Sequence, residues 1–325
     1  MKQGKHLSII VNSFNRACLM PDCLGALARW LPDNPYGLSA SVHIYDAGST
    51  DGTEAWVREH ASGYGFPIHF IDGRDDADRS FSAGLNRGVA HALDLYPKTD
   101  YLLFYETDNQ ILSAEPVSQG IGCLEAKDRL GACGFTVKLR DGQAAGVGMP
   151  FPKLWHFLLG KTAMHKLKLE RVRYAWEDRG SIRFSPVDVV FTSPLLVKPD
   201  AWRASGGMDA AHFPFSECDV DWAKRLRDLG WTMGVVESTE AIHDNADAIS
   251  GWSKNRAVHY HRGRLNYFRI HQPVRTALVA PHFLALRHLF ERIFVALAVR
   301  DPERRRHLGG VCSRLLGSVW KGYQE

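Results

Sequence analysis

Two acidic residues follow an apolar run near the middle of the chain. The segment Leu102 to Tyr105 is apolar or aromatic throughout, which predicts a buried strand, and Glu106 and Asp108 come directly after it. Open α/β sheets bind ligands just beyond the carboxyl ends of their strands. Two carboxylates one residue apart can hold a hard cation such as Mg²⁺ or Mn²⁺, often together with substrate phosphates. The pair therefore predicts a metal site, and the alternative is a solvated loop.

A second group of acids occupies alternate positions farther along the chain, namely Glu217, Asp219 and Asp221. Helical spacing follows this group and ends at Gly230, a residue typical of a helix C-terminus. Acids at a helix start also serve as structural caps, because the N-terminus of a helix carries partial positive charge. Three acids exceed what a cap needs, so we expect one of them to act as a general base.

Two further polar strings follow predicted strands. Asp46 ends one strand and opens a turn that contains Asp51. A carboxylate at this position can accept hydrogen bonds from a nucleobase or a ribose, whereas the alternative is that both acids only shape the turn and cap the next helix. Gly84 and Asn86 lie at a predicted helix start, where backbone N–H groups suit a phosphate and where plain packing is the alternative.

The elements that must position these residues alternate in type along the first third of the chain. Short apolar or β-branched runs predict strands, and amphipathic runs between them predict helices. The predicted strands are Leu7 to Val11, Val42 to Tyr45, Ile68 to Ile71, Leu102 to Tyr105 and, later, Val187 to Val197. Such alternation is typical of an α/β fold with a mostly parallel sheet and flanking helices. Helical spacing returns after residue 250, and Arg275 to Arg300 predicts one amphipathic helix.

Composition places the chain among ordinary folded proteins. Of its 325 residues, 45% are hydrophobic and 23% are charged, and the formal net charge is +4. This size allows one large domain or two smaller ones. Basic residues outnumber acids between residues 256 and 306, which favours contact with an acidic surface such as phosphate-rich lipid. The six cysteines lack C-x-x-C or zinc-like spacing, which fits free thiols in a reducing compartment.

No segment predicts export or a membrane span. The N-terminus lacks the pattern of a signal peptide, and no stretch of 18 apolar residues occurs. The longest candidate, from Thr276 to Val299, is interrupted by four polar residues, Arg287, His288, Glu291 and Arg292. We therefore expect a cytoplasmic protein whose basic tail contacts the inner face of the cytoplasmic membrane. The alternatives are that the tail packs on the rest of the chain or forms a homodimer contact.

Taken in order, these strings resemble the family 2 glycosyltransferases. The resemblance extends from about residue 7 to residue 250 and rests on Asn15-Arg16, Tyr45 to Thr53, Gly84-Leu85-Asn86-Arg87-Gly88, Glu106-Thr107-Asp108, Gly206-Gly207-Met208-Asp209, Cys218-Asp219-Val220-Asp221 and His243. The ordered set is specific, although each string alone is weak. The tail string Arg264-Leu265-Asn266-Tyr267-Phe268-Arg269 resembles the bacterial rhamnosyltransferase-like branch.

The resemblance implies a GT-A fold, a nucleotide-sugar donor and a divalent metal, Mg²⁺ or Mn²⁺. Glu106 and Asp108 match the metal-binding pair, with His243 as a further ligand, and Asp219 matches the catalytic base. The implied nucleotide-binding residues are Asn15, Arg16, Asp46, Asp51, Gly84 and Asn86.

Two positions depart from the family pattern. Glu106 stands where Asp or Asn is usual, and its longer side chain can shift the ion. Cys218 stands where the family often has Glu, while Glu217 lies one place earlier. The choice of base between Asp219 and Glu217 is therefore open.

The function implied is metal-dependent, inverting transfer of a hexosyl or rhamnosyl group in bacterial cell-surface polysaccharide synthesis. The expected donor is dTDP-rhamnose or a UDP- or GDP-sugar, and the expected acceptor is a saccharide or lipid-linked saccharide. No nucleic-acid partner is expected.

The expected domains are a catalytic domain, 1–250, and a basic helical tail, 251–325. Within the catalytic domain, 1–110 is the nucleotide-sugar half and 111–250 the acceptor half. One alternative is a non-catalytic nucleotide-sugar-binding subunit, because of Cys218 and Glu106. A nucleotidyltransferase is disfavoured, because residues 12–20 lack a basic, glycine-rich loop.

Overall fold

The computed structural model describes residues 4–32, 34, 37–138, 144–145, 148–168, 174–243 and 254–320. The chain divides into two compact units. One, here called the sheet unit, comprises Met1–Phe151, Val172–Met208 and Trp222–Asp247; the other, the helical unit, comprises Pro152–Arg171, Asp209–Asp221 and Ala248–Glu325. The predicted boundary at residues 250 and 251 lies outside the described residues, and the predicted domain limits stay a prediction.

The strands within the described residues are β1 (His6–Ser13), β2 (Ser39–Asp46), β3 (Ile68–Asp72), β4 (Tyr101–Phe104), β5 (Asn109–Ile111), β6 (Leu130–Phe135), β7 (Val137–Lys138), β8 (Ala144–Ala145), β9 (Gly148–Met149), β10 (Glu177–Arg179), β11 (Ile182–Val187), β12 (Val189–Val190), β13 (Leu195–Val197), β14 (Thr232–Val236) and β15 (Ala241–His243). The α-helices there are α1 (Met20–Ala28), α2 (Thr53–His60), α3 (Phe81–Leu95), α4 (Glu115–Ala126), α5 (Leu154–Leu159), α6 (Lys161–Lys166), α7 (Pro199–Ser205), α8 (Cys218–Asp228), α9 (Lys254–His271), α10 (Pro273–Ala298) and α11 (Pro302–Ser318).

The sheet unit is built on a nine-stranded sheet with the strand order β10-β11-β14-β6-β13-β4-β1-β2-β3. All of these strands except β11 and β13 run in the same direction. Its central strands are apolar on both faces because helices cover them, and Ile9, Leu103 and Phe104 are fully buried. The predicted α/β fold, with a mostly parallel sheet, flanking helices and a C-terminal helical region, is confirmed.

Register brings the carboxyl ends of the parallel strands to one edge. β1 and β2 pair so that Ser13 lies opposite Asp46, and β2 and β3 pair so that Asp46 lies opposite Asp72. β4 pairs with β1 through Phe104 and Ile10, so the chain leaves β4 towards the same edge. The residues that follow β1, β2 and β4 therefore share the edge at which open α/β sheets bind ligands.

A smaller four-stranded sheet in the same unit has the order β5-β15-β7-β8. Its β15 runs antiparallel to β5, with His243 opposite Asn109. Because Asn109 directly follows Asp108, this pairing returns a residue from late in the sequence to the end of β4.

The predicted strand from Val187 to Val197 is wrong in extent. The segment contains the end of β11, the two-residue β12 and then β13. The polar residues Thr192 and Ser193 separate β12 from β13, and Pro194 has no backbone N–H to give to a sheet. The break leaves Thr192 and Ser193 available for contacts near the end of β4.

The helical unit is held together by contacts among α5, α9, α10 and α11. Val258, Val311 and Leu315 form an apolar cluster. The Arg287 guanidinium donates hydrogen bonds to the carbonyl oxygens of Phe157 (2.8 Å) and Leu158 (3.1 Å), which ties α10 to α5. α10 and α11 correspond to the helical spacing predicted for the tail. None of the helices in the described ranges is long and apolar enough to cross a membrane.

Candidate active site

Glu106, Asp108 and His243 come together at the carboxyl end of β4. Each offers one ligand atom, and these atoms lie within 4.8 Å of one another. The Nε2 atom of His243 is 3.4 Å from Oδ1 of Asp108. The convergence follows from strand pairing, because β4 delivers the two acids and the pairing of β15 with β5 delivers the histidine. The structure thus groups the three residues predicted as metal ligands.

The cluster has the properties expected of a cation site. Oδ1 of Asp108 is buried and has no hydrogen-bond partner among the described residues. An unpartnered buried carboxylate oxygen is costly unless a ligand satisfies it. Two carboxylates and one imidazole form a donor set that suits Mg²⁺ or Mn²⁺, which favour oxygen ligands. The residues present therefore fit a divalent cation.

The electrostatics of Glu106 also fit a cation site. Burial, reinforced by the neighbouring Asp108 carboxylate, raises the pKa of Glu106 to about 7. His243, Arg16 and a hydrogen bond from the Thr192 side chain lower this pKa in part. A bound cation would favour the ionised form far more strongly than these groups do.

Other polar residues, which the sequence did not mark as functional, form hydrogen bonds around the cluster. The Asn109 side-chain amide donates to the Glu106 carbonyl oxygen (3.2 Å) and to the Ser193 hydroxyl. Thr192 and Ser193 lie in the break between β12 and β13. The apolar residues around them predicted a strand and gave no sign that the two side chains contact the acid cluster. Asn109 directly follows the acid pair, which was the only available signal.

Arg16, a predicted nucleotide-binding residue, has an exposed side chain near the metal cluster. Its guanidinium lowers the pKa of Glu106, so its charge acts at the cluster. A positive charge beside a metal site is suited to a diphosphate. The structure therefore places Arg16 where the sequence analysis predicted a nucleotide contact, and the contact itself stays a prediction.

The loops after β1 and β2 are bound to each other. Asn15, which has a positive φ of 54°, accepts a hydrogen bond from the backbone N–H of Thr50 through Oδ1 (2.8 Å). Asp51 accepts from the backbone N–H of Ala17 (2.9 Å) and from the Thr53 hydroxyl (2.5 Å). Asn15 and Asp51 thus shape this edge, and direct contact with a nucleotide stays a prediction for both.

Asp46 is buried at the end of β2 and is engaged in its own turn. Its Oδ1 accepts from the backbone N–H groups of Gly48 (3.0 Å) and Ser49 (2.6 Å), and its Oδ2 accepts from the Ser49 hydroxyl (2.6 Å). These contacts match the turn-shaping alternative. A nucleoside contact, which would use the remaining acceptor capacity of Oδ2, stays a prediction.

Gly84 and Asn86 have packing roles in the structure. The backbone N–H of Gly84 donates to the Ser80 carbonyl oxygen (2.9 Å) within α3, so it is not a free phosphate donor. The Asn86 side chain donates to the Met208 carbonyl oxygen and accepts from the Met208 N–H, both at 2.9 Å. These bonds match the packing alternative, and nucleotide contact by either residue stays a prediction.

Two polar atoms at the end of β1 also went unnoticed in the sequence. Oδ1 of Asn12 and Oγ of Ser13 are buried and have no partner among the described residues. Ser13 lies opposite Asp46 in the sheet. Oδ1 of Asn12 packs against α3, where a Cβ atom on Gly84 would lie 2.5 Å from it, whereas Ser13 is the last residue of β1 at the ligand-binding edge of the sheet. The sequence gives no sign that these two atoms are buried.

The candidate bases, Asp219 and Glu217, lie in the helical unit and differ in environment. Glu217 has a positive φ of 67° and forms a buried ion pair with Arg264 of α9. Asp219, in the first turn of α8, accepts a hydrogen bond from the Val220 N–H (2.9 Å). Burial, followed by the nearby Glu217 charge, raises the pKa of Asp219 to about 7. A carboxylate with this pKa suits proton abstraction near neutral pH.

α9 approaches the Glu217 segment closely. A Cβ atom built on Gly263 would lie 2.7 Å from the Ser216 carbonyl oxygen and 3.1 Å from the Glu217 side chain. Glycine at this position therefore lets α9 reach Glu217, and Arg264, the next residue, forms the ion pair. The tail thus contributes to the surroundings of both candidate bases.

Solved structures share this fold at low sequence identity. PcManGT, a mannosyltransferase from Pyrobaculum calidifontis in complex with GDP-Man and Mn²⁺, aligns with a TM-score of 0.54 at 16% identity and covers 98% of this chain and 88% of that chain. Residues 1–349 of TarS from S. aureus align with a TM-score of 0.51 at 13% identity, over 96% of this chain and 90% of that chain. GalNAc-T7 with UDP, GalNAc and Mn²⁺ aligns with a TM-score of 0.58 at 9% identity, over 98% of this chain and 56% of that chain. The predicted GT-A-like architecture is confirmed.

A family profile described as "Glycosyl transferase family 2" matches residues 8–178, which is more than half of the chain. A search of curated protein sequences finds no significant match. The matched region contains Arg16, Asp46, Glu106 and Asp108. Its order of strands, acid pair and loops is the one described above. The chain therefore belongs to glycosyl transferase family 2.

Proposed function

We propose that this protein transfers a hexosyl or rhamnosyl group from a nucleotide-sugar donor to a saccharide acceptor, with inversion at the anomeric carbon. The observation that carries the proposal is the cluster of Glu106, Asp108 and His243, in which a buried Asp108 oxygen accepts no hydrogen bond from the described residues, in a chain of this family. A hard cation and a substrate diphosphate are the ligands that such a cluster suits.

The donor would bind at the edge formed by the ends of β1, β2 and β4. Arg16 would contact the diphosphate, and Ser13 together with Asp46 would contact the nucleoside. When bound, Mg²⁺ or Mn²⁺ neutralises charge that develops on the leaving diphosphate. The fold relatives that contain GDP-Man or UDP together with Mn²⁺ support this donor class. Within it, dTDP-rhamnose, UDP-sugars and GDP-sugars are the candidates.

Asp219 would act as the general base. Its carboxylate would take the proton from an acceptor hydroxyl while that oxygen forms a bond to the anomeric carbon. The bond between that carbon and the diphosphate oxygen breaks in the same step, and attack from the opposite face inverts the centre. The pKa of about 7 supports this role for Asp219, because the proton can be taken up and released near neutral pH.

The biological setting proposed is bacterial cell-surface polysaccharide synthesis at the inner face of the cytoplasmic membrane, with a lipid-linked saccharide as acceptor. The basic C-terminal helices support this setting, because a basic surface favours contact with anionic lipid.

A thermal-shift experiment tests the metal-dependent donor site. Wild-type protein is heated with dTDP, UDP or GDP, each with and without Mn²⁺. We expect at least one diphosphate to raise the melting temperature much more when Mn²⁺ is present, since a ligand at 100 times its Kd stabilises the native state by about 2.7 kcal/mol. Asp108→Asn should abolish the Mn²⁺-dependent part of the shift.

Asp128→Asn is the matched control, because Asp128 is exposed and lies outside the cluster. It should keep the full shift. An Asp108→Asn protein that folds and retains the wild-type shift would reject the metal site. Donor hydrolysis without acceptor then separates an active enzyme from a non-catalytic binding subunit, which should give none.

A further inference from the structure

Helix α10 presents an extensive apolar surface to solvent. Its outward residues include Leu297, Leu278 and Phe294, which are 84%, 71% and 68% exposed. The other large apolar residues exposed on this helix are Val274, Val279, Phe283, Leu286, Leu289, Phe290 and Ile293. Soluble proteins seldom expose a contiguous apolar patch of this extent without using it for an interaction.

The apolar surface lies opposite the face that packs within the helical unit. Thr276, Ala280, Leu284 and His288 are buried at steps of four residues, which defines the inner face of the helix. The outer stripe of Val279, Phe283, Leu286, Phe290, Ile293 and Leu297 repeats at alternating steps of four and three. From Val279 to Leu297 the stripe is about 27 Å long at 1.5 Å per residue. The outer stripe is therefore continuous along most of the helix.

Basic residues terminate the stripe at both ends. Arg275, Leu286 and Ile293 are separated by 11 and 7 positions, or about three and two helical turns, so they lie along one line of the helix surface. Arg300 follows the end of the helix, beyond the extended residue Val299. Arg275 and Arg300 are both exposed, so exposed arginines precede and follow the apolar stripe along the chain.

Basic side chains outnumber acidic ones near the stripe. Arg292 on α10 and Arg304, Arg305 and Arg306 on α11 are also exposed, against the exposed acids Asp301 and Glu303 at the start of α11. The single acid of α10, Glu291, is bound to Arg287 and His288 on the inner side. The outer surface of this helix therefore combines apolar and basic groups, and it carries no acidic side chain.

We propose that the outer face of α10 lies in the surface of an anionic lipid membrane. The apolar stripe would be buried at the boundary between headgroups and acyl chains, with the helix parallel to the membrane plane. Arg275, Arg292 and Arg300 would contact lipid phosphates. The proposal does not depend on the sugar-transfer activity, because the exposed apolar residues of α10 are not part of the candidate active site.

The charge pattern disfavours a second copy of the chain as the occupant. α10 carries Arg275, Arg287 and Arg292 against a single acid, Glu291, which is already paired with Arg287 and His288. Two copies of this helix would bring surplus positive charge together in either a parallel or an antiparallel pairing, which opposes association. An anionic lipid surface complements the same pattern.

Vesicle co-sedimentation of the full chain tests the proposal. The vesicles are phosphatidylcholine alone or phosphatidylcholine mixed with phosphatidylglycerol, and we expect binding to the mixed vesicles to be much the stronger. Leu286→Glu combined with Phe290→Glu should lower the partition coefficient at least about tenfold, because two apolar side chains lose their burial. Arg275→Gln combined with Arg300→Gln should lower binding to the anionic vesicles by about fivefold per arginine and leave binding to neutral vesicles unchanged.

Leu95→Glu is the matched control, because Leu95 is 48% exposed at the end of α3 in the sheet unit, and it should bind as wild type does. Thermal unfolding of every variant checks that it folds; the arginine pair tests the proposal even if the glutamate pair does not fold. Equal binding to neutral and anionic vesicles would overturn the proposal. The proposal would also be overturned if the wild type bound no vesicles and formed a dimer, and if the combined Leu286→Glu and Phe290→Glu variant were monomeric.

Discussion

Asp219 and Glu217 are two positions apart, but their surroundings give them different chemistry. Glu217 is committed to a buried ion pair with Arg264, so its removal leaves an unpaired buried charge. Among the residues that the structure describes, Asp219 has no ion-pair partner of this kind, and burial raises its pKa to about 7. Environments that separate the properties of two neighbouring carboxylates commonly separate their roles. These environments favour the proposal that Asp219 abstracts the proton and that Glu217 supports the segment.

This assignment predicts opposite signatures for two variants. Asp219→Asn should spare donor binding and reduce turnover by roughly 10²–10⁴-fold. Glu217→Gln should lower the free energy of unfolding by about 3–5 kcal/mol, because it strands the Arg264 charge in a buried position. Donor affinity, transfer rate and urea denaturation measured on both variants test the pair. Near-normal transfer by Asp219→Asn, with loss of transfer by a stably folded Glu217→Gln, would reverse the roles.

The pH profile of the wild type gives an independent check. A base must be deprotonated to act, so kcat/KM should decrease as the pH falls through about 7. A profile that stays flat from pH 8 to well below 7 would contradict the assignment.

At the scale of elements, packing of α3 against the sheet fixes the nucleotide-side edge. A Cβ atom on Gly84 would lie 2.5 Å from Oδ1 of Asn12 and 2.6 Å from the Tyr45 ring. The Tyr45 hydroxyl donates to Asp76 (3.1 Å), so the ring has little freedom to move. Gly84 thus permits the close approach of α3 to β1 and β2.

Gly84→Ala should therefore destabilise the protein by about 1–3 kcal/mol through overpacking. Gly25→Ala in α1 is the control, because a Cβ atom there meets no atom within 4 Å. Alanine in an open helical position should be neutral or stabilising by up to about 1 kcal/mol. Urea denaturation measures both changes. If the two variants have the same stability, the close approach of α3 to the sheet is not what requires glycine at position 84.

The sequence was informative where apolar residues are concentrated in short runs. The first four predicted strands are present as β1 to β4. The central strands β1 and β4 are buried because helices cover the sheet, whereas β3 is a half-buried edge strand. The strand predicted from Val187 to Val197 was too long. The apolar residues on both sides of Thr192 and Ser193 predicted one strand, although these two polar residues interrupt it and contact residues distant in sequence. The Thr192 side chain, for example, bonds to Glu106.

The sequence was sufficient to propose the candidate metal ligands, but it did not identify the polar residues around them. Glu106, Asp108 and His243 could be proposed from their order in the chain, and strand pairing brings them together. The free oxygens of Asn12 and Ser13 could not be proposed, because only the three-dimensional structure shows which buried polar atoms lack partners. Conversely, the sequence around Gly84 and Asn86 predicted phosphate binding at a helix start. In the structure the Gly84 N–H and the Asn86 side chain form hydrogen bonds within the protein.

At the scale of the whole molecule, a histidine cluster in the sheet unit links folding to pH. The buried His43 lies between Ser41, at 2.9 Å from its Nε2, and His91, at 3.0 Å from its Nδ1. Its ring also stacks on His69 at a centroid distance of 4.9 Å. Burial and then the neighbouring histidines lower the pKa of His43 to about 3, and burial lowers the pKa values of His69 and His91. The cluster is thus neutral in the folded protein at neutral pH.

The sheet unit should therefore lose stability on mild acidification. The unfolded chain takes up a proton on His43 as the pH falls through about 6.5, whereas the folded chain resists until about 3. The contribution is fully present above pH 6.5 and declines below it, by about 2 kcal/mol between pH 6.5 and 5 for His43 alone. Hydrogen exchange of peptides from β2, followed at increasing urea concentration, measures the unfolding of the sheet unit by itself.

His43→Phe should make the free energy of unfolding less dependent on pH, whereas His60→Gln, at an exposed position of α2, should leave that dependence unchanged. A wild-type stability that is constant from pH 7 to 5 would show that the cluster accommodates charge without cost.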